Sequence, residues 1–241
     1  MSRLNFLKGK RAIVTGASQG IGRAISLALA KEGCHLALIS RSKMNLEETA
    51  NLCRKESKKI SVFPFDLSKT AEIGELIDLV EKEIGGIDIL VNNAGIGAKG
   101  KTGEVDLEKW DKILDVNLKS LIHLTHHALK RIEKNDWGAI INIASIAGKL
   151  AYGGSAGYCA SKHGVLGFTG SLFEDVREKN IKVCAICPGY VDTPMIQSKG
   201  LKTDYMIRPE DIAKTVSFVL HFDRSGCPTE IIIRPQKTPY Q

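Results

Sequence analysis

The chain has 241 residues, 43% of them hydrophobic and 25% charged, enough to bury the core of one large parallel α/β domain. Lys and Arg number 34 against 27 Asp and Glu, a formal net charge of +7. The basic residues are scattered, and their one local run (Arg54, Lys55, Lys58, Lys59) reads as a solvated helix end, which argues against a nucleic-acid-binding stripe. No apolar run reaches the roughly 18 residues that span a bilayer, and residues 1–10 do not resemble a signal peptide, so a cytoplasmic chain with no membrane and no nucleic-acid partner is expected.

In chain order, apolar runs at 11–15, 35–40, 60–65, 88–92, 139–144, 181–187 and 230–234 alternate with amphipathic segments at 21–31, 45–55, 69–84, 107–134, 157–179 and 209–220. Runs such as Leu36-Ala37-Leu38-Ile39 lack polar alternation, as strands buried on both faces do. The order predicts right-handed βαβ units: an α/β fold with a doubly wound, seven-stranded parallel sheet and helices on both faces. No repeat or linker interrupts the pattern, so one domain over 1–241 is expected.

The first strand runs into Thr15-Gly16-Ala17-Ser18-Gln19-Gly20-Ile21-Gly22, and a helix follows at once. Glycines there let backbone approach a pyrophosphate, whose charge the helix N-terminus attracts. The spacing T-G-x-x-x-G-x-G resembles the short-chain dehydrogenase/reductase family in its single-domain branch, which implies a Rossmann-type fold and a nicotinamide cofactor. Gly16, Ser18, Gln19, Gly20, Ile21 and Gly22 are then the expected phosphate cradle.

The second strand ends in Ser40-Arg41, where an NAD enzyme usually places an acid for the ribose 2′-hydroxyl. No carboxylate is present to repel a 2′-phosphate, and the guanidinium of Arg41 can pair with one, so NADP(H) is the expected cofactor. Asp66-Leu67 closes the third strand; Asp66 matches the family's adenine contact and equally suits a helix cap. Asn92-Asn93-Ala94-Gly95 follows the fourth strand, and by resemblance Asn93, Ala94 and Gly95 line the cofactor while bracing the sheet.

Tyr158-Cys159-Ala160-Ser161-Lys162 opens a predicted helix, and i, i+4 spacing puts Tyr158 and Lys162 on one face. A tyrosine has a reference pKa of about 10, and a nearby cation favours its phenolate. Unit charges roughly 4 Å apart at an effective dielectric near 20 interact by about 4 kcal/mol, so one lysine could lower Tyr158 by a few units at most. Ser145, just past the fifth strand, would sit where open parallel sheets place their sites, with a hydroxyl for a substrate oxygen that gains charge. Asn117 matches the remaining family position, where relatives hold a water beside the lysine. By resemblance, Asn117, Ser145, Tyr158 and Lys162 form a catalytic tetrad, and Pro188, Gly189, Val191 and Thr193 contact the nicotinamide carboxamide.

Other features carry less chemistry. Cys184 and Cys187 form a C-x-x-C, but on a strand residues three apart face opposite sides, so core thiols are expected. His123, His126 and His127 lack the glutamate of H-E-x-x-H and a third ligand, so no metal is expected. By resemblance, 107–134 and 157–179 form the interface of a homodimer or homotetramer. The segment from about 193 to 209 is a short substrate loop, and the ending after 234 departs from 3-oxoacyl-carrier-protein reductases towards 3-hydroxy acid dehydrogenases and broad carbonyl reductases. The expected function is NADP(H)-dependent interconversion of a small-molecule carbonyl and alcohol. A 3-oxoacyl-carrier-protein reductase is the runner-up, and a non-catalytic NADP-binding regulator, which should have lost the tyrosine or lysine, is the alternative of another class.

Overall fold

Strand β1 (Arg11–Thr15) is the third of seven in a parallel sheet of order β3-β2-β1-β4-β5-β6-β7, next to the central strand β4. The computed structural model describes residues 6–57, 59–196 and 200–240, so Lys58 of the basic run and positions 197–199 of the substrate loop lie outside it. The other strands are β2 (His35–Ser40), β3 (Ile60–Pro64), β4 (Ile89–Asn92), β5 (Gly138–Ile143), β6 (Ile181–Pro188) and β7 (Glu230–Ile233). Helices α1 (Gly20–Lys31), α2 (Lys43–Cys53) and α7 (Pro209–His221) cover one face. Helices α3 (Ile73–Ile84), α5 (Ser120–Ile132) and α6 (Ala156–Val176) cover the other.

Each strand feeds both layers because its side chains alternate. Ala12 and Val14 of β1 pack under α1, α2 and α7, whereas Ile13 packs under α3 and α5. Strand β6 does the same: Cys184 is in the first layer and Cys187 in the second, so the C-x-x-C thiols stand on opposite faces, and neither is bridged. Ile25 and Leu29, four residues apart on α1, are fully buried, as a 3.6-residue period against the sheet requires.

One polar rung crosses the middle of this apolar sheet. Asn92 Nδ2 on β4 donates to Asn142 Oδ1 on β5 at 2.9 Å and to Thr125 Oγ1 on α5 at 3.1 Å. Asn142 Nδ2 passes the chain on to Thr169 Oγ1 of α6 at 2.9 Å. At the opposite, amino-terminal edge of the sheet, the Arg11 guanidinium grips Asp88 through Nε at 2.7 Å and Nη2 at 2.9 Å.

The segment expected as one helix over 107–134 runs as two α-helices joined through one wider turn. Helix α4 (Leu107–Leu114) passes through a π-helical turn (Asp115–Lys119) into α5. A π turn inserts one extra residue without interrupting the helix, so hydrophobic periodicity alone does not reveal it. Two of the three histidines on this helix are held within the chain: His123 Nδ1 lies 3.1 Å from Thr70 O, and the His127 ring packs on Gly74 of α3. Only His126 is exposed. Among the described residues no group of three His, Cys, Asp or Glu is placed to hold a metal ion, and no helix is long and apolar enough to cross a membrane.

Candidate active site

A cleft of roughly 600 Å³ opens at the carboxyl ends of the strands. It is centred where β1 and β4 are neighbours but their following segments diverge to opposite faces, the crevice in which open parallel sheets bind ligands. Its floor is the glycine turn after β1. Gly16 has φ +63°, and a Cβ there would lie 2.8 Å from Asn93 Nδ2. A Cβ on Gly22 would lie 2.2 Å from Gly16 O, so the first turn of α1 can close on the strand end only without a side chain. Thr15 Oγ1 accepts from the backbone N–H of Asn93 (2.9 Å) and Ala94 (3.0 Å), which ties the β4 loop to this turn. Arg23 holds the turn from behind, donating to Ser18 O at 2.8 Å while paired with Glu48 of α2 at 3.0 Å.

The N-terminus of α1 has no side-chain cap and no acid in its first turn. Its first N–H groups and positive dipole end therefore face the cleft with no side-chain cap among the described residues, a set suited to a pyrophosphate. At the far end of the cleft, Ser40 Oγ is buried and finds no hydrogen-bond partner among the described residues. Arg41 beside it is exposed and forms no ion pair among the described residues. Asp66 Oδ1 accepts from Ser68 N at 3.0 Å and Ser68 Oγ at 2.9 Å, a local turn. Those bonds, with the charge of Arg41 nearby, hold its carboxyl below the usual range. An unpartnered hydroxyl, a free guanidinium and an uncapped helix start fit a dinucleotide.

The opposite end gathers Ser145, Tyr158 and Lys162 along the cleft wall. Ser145 lies two residues beyond β5 and its Oγ accepts from Ala147 N at 3.1 Å, capping a short 3-10 turn. Tyr158 and Lys162 stand one turn apart on α6, with Lys162 Nζ 5.9 Å from the phenol ring centroid. The α6 start is packed tightly: a Cβ on Gly157 would lie 2.8 Å from Trp110 Cδ1 of α4. Lys162 is 4% exposed, and its Nζ donates to Ile143 O at 2.9 Å. Burial pushes the lysine down to about 8. Burial also pushes the Tyr158 phenol up, against a smaller lowering by its hydrogen bond with Ser145. The expected lowering of Tyr158 by the lysine is thus reversed here, because desolvation penalises both charged forms and the Nζ bond goes to a carbonyl.

Asn117 falls in the π turn, 1% exposed and behind the cleft surface. Its Oδ1 accepts from Ile96 N at 2.8 Å, and its Nδ2 donates to Ile96 O at 2.9 Å and Ser161 Oγ at 3.1 Å. The side chain is therefore spent on backbone and on Ser161, which itself donates to Tyr158 O at 2.7 Å. Gly95 lies between the two groups: a Cβ there would be 3.4 Å from Asn117 Oδ1 and 3.8 Å from Lys162 Nζ.

Of the expected cofactor contacts, Gly16, Ser18, Gln19, Gly20, Ile21, Arg41, Asp66, Leu67, Asn93, Ala94, Gly95, Pro188, Gly189, Val191 and Thr193 all line the cleft. Gly22 alone of the expected contacts does not and is a packing residue of the turn, and Asn117 of the expected catalytic tetrad is also off the lining, as a brace. Sequence reasoning missed Ile96 and Ile143 on the lining, and Ser161 behind it; Met195 and Ile196 of the expected substrate loop also line the cleft. Only Ser161 left a trace, as a hydroxyl one residue before the lysine of Y-x-x-x-K.

Known proteins resemble the chain along most of its length. The profile of the family described as short chain dehydrogenase matches residues 10–204. An uncharacterised oxidoreductase of Staphylococcus aureus (strain MRSA252) is 34% identical over 232 residues, covering 96% of this chain and 100% of that protein. The D-beta-hydroxybutyrate dehydrogenase of Rhizobium meliloti (strain 1021) is 38% identical over 195 residues, 79% of this chain and 74% of that protein. The crystal structure of a short-chain type dehydrogenase/reductase from Mycobacterium marinum superposes with a TM-score of 0.88 at 26% identity, covering 96% of each chain.

Proposed function

The chain belongs to the short-chain dehydrogenase/reductase family of nicotinamide-dependent oxidoreductases, and from that premise we propose that it interconverts a carbonyl and a secondary alcohol with NADP(H). The observation that carries this reading is the pairing of an uncapped α1 N-terminus at one end of the cleft with Ser145, Tyr158 and Lys162 at the other. NADP(H) is favoured over NAD(H) by the free guanidinium of Arg41 and the unpartnered Ser40 hydroxyl, in a turn with no acid to repel a 2′-phosphate.

When bound, the nicotinamide supplies a hydride to the carbonyl carbon or takes one from the alcohol. For reduction, the raised pKa of Tyr158 keeps its hydroxyl protonated at neutral pH, so it can give a proton to the nascent alkoxide. The Ser145 hydroxyl donates to the same oxygen as its charge grows. Lys162, at about 8, is mainly protonated at neutral pH and opposes the cost of the phenolate left behind. Asn117 fixes the Gly95–Ile96 loop against α6, which keeps the lysine and the cleft wall in register. Oxidation runs the proton transfers backward. The named activity of the Rhizobium meliloti relative favours a 3-oxo or 3-hydroxy acid as substrate. Leu107 (67% exposed) and Leu114 on α4 leave apolar surface that supports self-association through 107–134 and 157–179.

The test is Tyr158→Phe, followed by NADPH absorbance against β-keto acids, β-ketoacyl thioesters, diketones and aldehydes. A loss of about 10²- to 10⁴-fold is expected, the usual contribution of a positioned proton donor. Full activity in the variant would sink the mechanism.

A further inference from the structure

The last residues of the chain pack behind one edge of the cleft, at Gly189. Gly189, which lines it, donates its N–H to Ile233 O at the end of β7 (2.7 Å), and a Cβ on Gly189 would lie 2.9 Å from Pro235 Cδ. Tyr190, between the lining residues Gly189 and Val191, hydrogen-bonds through its hydroxyl to Tyr240, with the two rings edge to face at 5.5 Å. Lys202 N–H donates to Pro239 O at 2.8 Å, and Leu201 and Tyr240 form an antiparallel bridge. Segment 234–240 is therefore fastened to the chain just before the substrate loop, at Gly189 and Tyr190, and to its middle, at Leu201 and Lys202.

The fastening collects positive charge. Lys202 Nζ and Lys237 Nζ lie 5.5 and 5.1 Å from the centroid of the same Tyr205 ring. Nearby Lys149 is neutralised by Glu230 at 2.6 Å and Arg208 by Asp192 at 2.7 Å. Among the described residues, Lys202, Lys237 and Arg234 have no carboxylate partner. Tyr152, from the loop joining Ser145 to Tyr158, is within electrostatic reach of both Tyr240 and Arg234. Two ammonium groups crowded on one ring repel each other, and an anion between or beside them removes that cost. Guanidinium, ammonium and phenol hydroxyls together are a donor set for a carboxylate.

We propose that segment 234–240 is the outer wall of the substrate pocket, and that Arg234, Lys237 and Lys202 select a carbonyl substrate bearing a carboxylate. This rests on the oxidoreductase reading above for the reaction, though not for the binding. The probes are 3-oxobutanoate and its methyl ester, which differ chiefly in charge. Turnover is followed by NADPH absorbance, and binding by calorimetry on the NADP-loaded protein. The wild type should prefer the acid, and Arg234→Gln or Lys237→Gln should each lower the acid-over-ester ratio about tenfold, the size of one charge-assisted hydrogen bond. All three cations are exposed, so the variants keep the fold. Equal binding of acid and ester by the wild type, or a ratio unmoved in every variant, overturns the proposal even if the ester is reduced. Acid binding that depends on Arg234 without turnover supports the wall and overturns the reaction instead.

Discussion

Asn117 donates to Ser161 at 3.1 Å, and both side chains are almost wholly buried. This contact joins the π turn to the helix that carries Tyr158 and Lys162, through the Ser161 bond to Tyr158 O. Ser161→Ala removes one link and leaves one N–H of the Asn117 amide without its acceptor, a loss of about 1–3 kcal/mol where a buried donor is stranded. Turnover should fall about tenfold or more, each 1.36 kcal/mol on the barrier being about one factor of ten. Since Ser161 is not on the cleft lining, kcat should fall more than KM rises. A rise in KM at unchanged kcat would show that the contact serves binding instead.

Burial of Lys162 costs stability. Its pKa falls from 10.5 in the open to about 8 in the fold, so the charged form is penalised by about 3 kcal/mol at 1.36 kcal/mol per unit. Because the folded value is the lower one, the penalty is complete below pH 8 and disappears as the pH rises towards 10.5. Lys162→Met should therefore be inactive yet melt higher than the wild type at pH 7, with the gain shrinking above about pH 8. A variant that melts lower at pH 7 contradicts this account.

The proposed preference for NADP(H) hangs on Arg41. It is exposed, and Asp66 across the cleft end feels its charge. Arg41→Ala should raise KM for NADPH roughly ten- to a hundredfold, the range of a lost charge-assisted contact, and change KM for NADH much less. Parallel changes for both cofactors would remove the assignment of the 2′-phosphate to this side chain.

The glycine turn makes a stability prediction of its own. In Gly22→Ala the new Cβ meets Gly16 O at 2.2 Å and Asn93 Nδ2 at 2.6 Å, and the first of these is backbone. The strand end and α1 must separate, at a cost of about 1–3 kcal/mol. Thermal melting should fall by roughly 2–4 °C for each kcal/mol in a chain of this size. Unchanged melting would mean that the turn opens freely.

Strands and helices were legible because burial writes itself into periodicity: Leu36 to Ile39 must be apolar throughout when both faces are covered. The turn at 15–22 and the Tyr158–Lys162 pair were legible because they depend on short spacings. What was hidden depends on long-range packing. The extra residue at Asp115–Lys119 leaves the helical pattern intact, yet it aims Asn117 at Ile96, 21 residues back, and at Ser161, 44 residues on. Spacing put Tyr158 near a cation, whereas its raised pKa follows from desolvation and from the diversion of Lys162 to Ile143 O. The fastening of 234–240 to 189–190 and 201–202 was likewise invisible, since it joins distant segments mostly by backbone bonds that any sequence could make, with one tyrosine pair, Tyr190 and Tyr240, that no spacing announces.

The rung through Asn92 and Asn142 has a consequence for how the sheet assembles. In a parallel sheet every pairing is between distant parts of the chain, and apolar neighbours alone tolerate small slips. A slip of one residue between β4 and β5 would set Asn142 against Val91 and strand both amides in a dry interior, at about 1–3 kcal/mol for each unpaired group. The pair thus works as a checksum for strand alignment: the wrong pairing is disfavoured by more than lost contacts. Asn142→Val should keep the native fold but refold with slower or multiphasic kinetics, and single-phase refolding at the wild-type rate would deny the rung this role.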